Sequence, residues 1–292
     1  MSHIIQLSAP EAQVELPCNP QLQSPLFGVI PTEVRNAIFD LALQEYEDPA
    51  QPYDFASYHY RPGYRCRHRL DTALLSTCRR TYLETRLIPL RNATDTFWLG
   101  WPDRGPPERR SRAKNPWSTR VRLSAQVRKQ LGCVQVFAPL CNLEALDIPS
   151  MMASKGLEPE RVALTIRYTD WWSWENDAEP HFLRGPLIPS LKAPASTVEF
   201  VIEFETLEKK KAQMERLLRE QNILASPIKR EDGTEMRTEA SQLRTKVWTG
   251  TTRFEGRKFR HHGEGKTIEY CVMTATWRPC RESSKEVSIQ ET

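Results

Sequence analysis

The chain has 292 residues and a formal net charge of +4, from 41 basic and 37 acidic side chains. That length can bury one large core or two modest ones, and so mild a charge argues by itself for neither nucleic acid nor a membrane surface. No apolar run approaches the roughly 20 residues of a bilayer-spanning helix. Residues 1–17 lack the basic and apolar regions of a signal peptide. The 7 cysteines are scattered and odd in number, which predicts reduced thiols in a cytoplasmic or nuclear protein.

Taken in order, residues 1–24 show little periodicity and read as a flexible arm. The first ordered segment is predicted from Leu26 and Phe27. Thr32 is placed to cap a helix, with Glu33 in its first turn and Ile30 stapling from before the cap. Val34, Ile38 and Leu41, with Ala37 and Ala42 beside them, form one apolar stripe at helical spacing. The helix should fade near Tyr46, because Asp48-Pro49 cannot continue it.

Residues 48–69 are rich in Tyr, Pro and Arg and read as a loop or short hairpin. Asp71 then caps a second predicted helix with the stripe Leu74, Leu75, Cys78, Tyr82 and Leu83, stopped by Pro89. A strand is expected over 96–99. Residues 101–118 are proline-rich and basic, an exposed loop by composition.

A helix over 124–131, an apolar run over 133–137, a short helix at 140–143 and another apolar run at 145–148 follow. Such alternation predicts parallel strands with right-handed crossovers. Residues 162–168 and 198–204 alternate apolar and polar side chains as strands do, and 207–222 switch to helical spacing. Residues 227–242 read as a loop, 247–259 as a hairpin, 267–277 as a strand closing the sheet, and 281–292 as a polar disordered tail. The expected fold class is α+β. Helices over 25–100 lead into an α/β body over 119–280, with a mixed, partly parallel sheet and one long helix in the C-terminal half.

Four stretches carry a family resemblance. Ile30, Pro31, Glu33, Val34, Arg35 and Ile38 resemble the Leu-Pro-x-Glu-(Leu/Ile)-Arg-x-x-Ile opening of fungal F-box-like domains. Leu74, Leu75, Cys78, Arg79, Tyr82 and Glu84 resemble their Leu-Leu-x-x-Cys-Arg-x-x-Tyr-x-Glu signature, and residues 92–97 resemble the strand that follows. Residues 164–175 are similar to a block found in uncharacterised fungal proteins of this kind. Residues 48–69 make the spacing between the two signatures longer than in a typical F-box. The resemblance has no established activity to carry over, and with no catalytic motif in the sequence a non-enzymatic protein without a cofactor is expected. The resemblance implies a Skp1-type adaptor bound through the first helices, with the C-terminal body holding a protein target for a ubiquitin ligase.

Three segments are candidates for function. Ile30, Pro31, Glu33, Val34 and Ile38 could meet a protein partner, since helix-in-groove recognition uses this spacing; the same stripe would equally serve as the core face of an amphipathic helix. Trp171, Trp172 and Trp174, with Asp170 and Glu175, are the densest aromatic cluster. They suit a glycan or small-ligand platform, paired-carboxylate acid/base chemistry, or a buried structural corner. The arginines between 104 and 128 offer phosphate contacts, without any recognised nucleic-acid motif. Cys66 with His68, and His261 with His262, lack the four closely paired ligands of a structural zinc site, so no metal is expected. There is no Gly-rich phosphate loop and no nucleophile elbow.

Overall fold

The computed structural model describes residues 18–101, 104–107, 132–154, 156–183, 185–238 and 243–280. The chain enters through a short helix α1 (Pro25–Gly28) and helix α2 (Thr32–Ala42). Pro31, not Thr32, occupies the N-cap; Thr32 is the first helical residue, and Glu33 sits in the first turn. Helix α2 stops before Tyr46 because β1 (Tyr46–Pro52) begins there and pairs antiparallel with β2 (Cys66–Arg69).

The second predicted helix is broken in two. A 3-10 turn over Ala73–Ser76, started by Asp71 Oδ1 accepting from the Ala73 N–H (2.9 Å), precedes helix α3 (Arg79–Thr85). Between them Cys78 is fully extended, and its Sγ caps α3 by accepting from the Thr81 N–H. Pro89 does not simply end this helix. It lies in the first turn of a further short helix, α4 (Ile88–Asn92), where the missing N–H costs nothing.

Strand β3 (Thr94–Trp98) starts two residues before its predicted position. The predicted helix over 124–131 and the tail over 281–292 lie outside the described residues, as does most of the basic loop. Strand β4 (Cys133–Phe137), helices α5 (Leu140–Leu143) and α6 (Ile148–Ser154), and β5 (Arg161–Ile166) follow. The apolar run at 145–148 is no strand, because Asp147 accepts from the Ser150 N–H (3.1 Å) and hydroxyl and so opens α6. Helix α7 (Leu187–Ser190), β6 (Lys192–Ala193), β7 (Glu199–Leu207) and α8 (Lys211–Glu220) come next. Helix α8 is 10 residues long.

Residues 227–242 are not a loop throughout. They contain the short antiparallel pair β8 (Ile228–Arg230) and β9 (Glu235–Thr238). Asp232 Oδ1 accepts from the Thr234 N–H (3.0 Å), and Gly233 supplies a φ of +86° for the turn. The hairpin expected over 247–259 is also rearranged. Strand β10 (Arg244–Thr251) pairs along its whole length with β13 (Thr267–Pro279). Only β11 (Arg253–Phe254) and β12 (Arg257–Lys258) make a tight hairpin, turning at Glu255-Gly256. Both turn residues have positive φ, 49° and 80°, as a right-handed hairpin twist demands.

A mixed sheet organises the molecule. Strands β3, β4, β5 and β7 run parallel in that order, and β13 joins β7 antiparallel. Along β7, Phe200, Ile202 and Phe204 are fully buried on one face, while Glu203 and Glu205 alternate onto the other. The large core is built on this sheet and includes Tyr58 from the β1–β2 connection. A second, smaller cluster comprises Phe27, Phe39, Leu43, Leu75 and Ile88 under the N-terminal helices. No helix among the described residues is long and apolar enough to cross a membrane.

Candidate functional site

Helix α2 has two apolar faces, and the smaller core uses the one absent from the predicted stripe. Arg35, Phe39 and Leu43, spaced four apart, point inward; Phe39 is 1% exposed and Leu43 0%. Arg35 is buried with them and is held by Glu84: its Nε donates to Glu84 Oε2 at 3.2 Å. Arg80 donates to the other Glu84 oxygen at 2.8 Å. The Phe27 ring lies 5.2 Å from the Arg35 guanidinium and 4.2 Å from that of Arg80. Arg35 and Glu84, 49 residues apart in sequence, are thus direct partners.

The opposite face of α2 is open. Val34 is 50% exposed, Ile38 41% and Leu41 72%, and Val29 just before the helix is 79% exposed. Pro31 and Glu33 are exposed beside them, and Ile30 is half-buried. Of the five residues proposed from sequence for partner binding, four are therefore exposed and Ile30 is half-buried. The stripe runs into a notch of about 460 Å³ lined by Asp40, Leu41, Gln44, Arg91 and Asn92. There Arg91 Nη2 lies 3.9 Å from Asp40 Oδ1.

The tryptophan cluster is built into the core. Trp171 and Trp174 are 4% and 2% exposed, and Trp171 Nε1 donates to the Glu205 carbonyl at 2.9 Å. Trp174 packs on Phe259 at 4.7 Å, Tyr168 at 5.4 Å and Phe254 at 5.5 Å. Trp172 is half-buried against the same core. Asp170 is consumed by Arg167, whose Nε and Nη2 donate to its two oxygens at 2.7 and 2.9 Å. Glu175 is exposed and pairs with Arg104 at 3.3 Å, so the two carboxylates serve different arginines. Ser173 and Asp177 hold positive φ on either side of Trp174, and Lys210 ties the turn down through Asp177 and the carbonyl of Ala178.

A buried polar network under the β1–β2 connection was not read from the sequence. Gln135 donates to Thr165 (2.8 Å), whose hydroxyl donates to Glu203 (2.8 Å), and Arg61 completes the line to Glu203 at 2.9 Å. Glu205 lies 3.7 Å from the same guanidinium. Burial raises the Glu205 carboxyl above its usual range, with Arg61 opposing. Its parts come from four distant segments, so spacing alone gave no signal.

The histidine pairs do not meet one another. His68 stacks on Tyr64 at 5.1 Å, and its Nδ1 faces Glu45 at 3.6 Å, whose hydrogen bond raises its pKa. His262 Nδ1 donates to the Thr252 carbonyl at 2.8 Å, which leaves Nε2 to accept from Tyr168 at 3.2 Å. Burial lowers the His262 pKa to about 4. His261 Nε2 is 2.6 Å from the same hydroxyl. Among the described residues, no group of three or more His, Cys, Asp or Glu side chains is arranged to hold a metal ion. No family model, curated protein or solved structure matches the chain.

Proposed function

We propose that the protein is a non-enzymatic interaction module that docks a protein partner through the open face of α2. The observation that carries this reading is the exposure of Val34, Ile38 and Leu41 on a helix whose other face is locked by Phe39, Leu43 and the Arg35–Glu84 pair. A helix needs only one apolar face to fold. Covering the second would yield about 1.5 kcal/mol or more for each large side chain fully removed from water. Rigid anchors at this spacing suit a groove or a partner helix. The resemblance to F-box-like domains supplies the expected partner, a Skp1-type adaptor, with the sheet-built body free to hold a target for a ubiquitin ligase.

The test is a titration of purified Skp1-type adaptor into the intact chain by calorimetry. Saturable one-to-one binding that Ile38→Asp abolishes is the expected result. No heat from a sample with a sharp thermal transition would remove the adaptor reading. The glycan reading of Trp171, Trp172 and Trp174 has no comparable support, since Trp171 and Trp174 are buried, the Trp171 N–H donates to the Glu205 carbonyl, and the Asp170 carboxylate is taken by Arg167. The phosphate-binding reading rests on arginines that, apart from Arg104, lie outside the described residues; Arg104 packs on Tyr58 and pairs with Glu175.

A further inference from the structure

Far from α2 in the sequence, the sheet exposes a strand edge with a distinct pattern. Strand β10 is 8 residues long, and it is paired only with β13 among the described residues. Arg244, Thr245, Lys246, Val247 and Thr249 are all exposed, Val247 by 50%. Trp248 instead folds back to stack on Tyr270 at 4.7 Å. Gly250 makes room for it, since a Cβ there would sit 2.5 Å from the Trp248 ring. The strand is therefore pinned at its C-terminal half and open at its edge.

Alternation gives that edge two chemically different sides. Arg244 and Lys246 stand on one side, and neither makes an ion pair with a described residue. Thr245 and Val247 stand on the other, where Thr245 lines a groove of about 560 Å³ together with Leu224, Leu243 and Met273 and the polar Glu215, Arg219 and Asn222. An incoming strand would place one row of side chains against two cations and the alternate row beside the exposed Val247 and the mixed groove next to it.

We infer that the free edge of β10 is a strand-addition site for an extended partner segment that alternates acidic and apolar residues. Backbone hydrogen bonds supply the pairing, and the two rows of side chains select the sequence. The same charges disfavour a second copy of this chain, because antiparallel edge-to-edge pairing would gather four cations on one face of the joined edge. The inference is independent of the α2 reading: it uses other residues, and either can fail without the other.

The probe is a fluorescein-labelled eight-residue peptide alternating glutamate and valine, titrated into the intact chain by anisotropy. Two comparators are used, one alternating lysine and valine, the other glutamate and serine. The glutamate–valine peptide should bind saturably, with both comparators at least about tenfold weaker, as should the Arg244→Glu, Lys246→Glu double variant toward the original peptide. Hydrogen exchange of the amides at 245–249 should slow when the peptide is present, a readout that needs no variant. Equal binding of all three peptides, no binding at all, or binding without protection of those amides would overturn the assignment. So would self-association of the chain in sedimentation that the double variant disperses, since the edge would then belong to a second copy.

Discussion

Single side chains decide how the N-terminal helices are fixed. Glu84 serves two guanidinium groups at once, and Arg35 is the one with no access to water as an alternative. Glu84→Ala would leave a buried cation unpaired at its Nε. We expect a loss of roughly 2 kcal/mol, less than for a fully buried pair because Glu84 is partly exposed, read as a lowered melting temperature. Arg80→Ala, at the outer oxygen, should cost well under half as much.

His262 gives a pH-dependent prediction. Its folded pKa, about 4, lies below the ordinary 6.5, so the unfolded chain binds this proton more readily. Stability from His262 is fully present above pH 6.5 and is lost as the pH falls towards 4. After allowing for partial solvent screening, that loss is about 2 kcal/mol. His262→Gln should flatten this limb in denaturant titrations across that window. An unchanged slope in the variant would assign the acid sensitivity to other groups. Glu84 and His262 both stood out in the sequence, but their roles did not, because each draws its role from a partner many residues away.

At the scale of elements, α2 is the informative case. Its stripe of Val34, Ile38 and Leu41 was legible from periodicity, but its direction was not. The inward row contains an arginine at Arg35, which no hydrophobic count scores as core; the Glu84 carboxylate and the Phe27 ring, with the Leu26 carbonyl and the Thr32 hydroxyl, make its burial tolerable. Substitutions should separate the two faces cleanly. Phe39→Ala should cost about 3–5 kcal/mol through the cavity it leaves. Val34→Asp and Ile38→Asp should stay within about 0.5 kcal/mol of the parent in urea unfolding.

Other elements differ in how plainly the sequence announced them. Strand β7 was clear because glutamates alternate with Phe200, Ile202 and Phe204. The β8–β9 hairpin was hidden by the shortness of its strands, although Asp232-Gly233 is a turn signal. The break between the 3-10 turn and α3 was invisible because cysteine is not among the usual N-cap residues. The tryptophans of 171–174 were recognisable as a cluster; that two of the three indoles face inward depended on the left-handed backbone at Ser173 and Asp177. Trp174→Ala should therefore destabilise the fold by about 3–5 kcal/mol in thermal unfolding, as expected for an aromatic at the centre of a core.

Across the whole molecule, one sheet gathers segments from both halves of the chain. Strand β3 follows the N-terminal helices yet forms the sheet edge beside β4, and Arg61 from the β1–β2 connection reaches Glu203 on β7. The mixed α+β character was readable from alternation of helices and strands. The antiparallel addition of β13 to β7, and of β10 to β13, was not, because long-range pairing leaves no local trace. What this architecture leaves outward is the second apolar face of α2, and the account stands on that face meeting another protein. A photoreactive phenylalanine analogue placed at Ile38 in the intact chain, with Glu220 on α8 as the comparison position, tests this directly in the cells that express the protein. The account predicts one discrete protein adduct at position 38 that is absent at 220 and is lost when Val34→Asp is added. Identical adducts at both positions, or none at 38 from a folded chain, would contradict it.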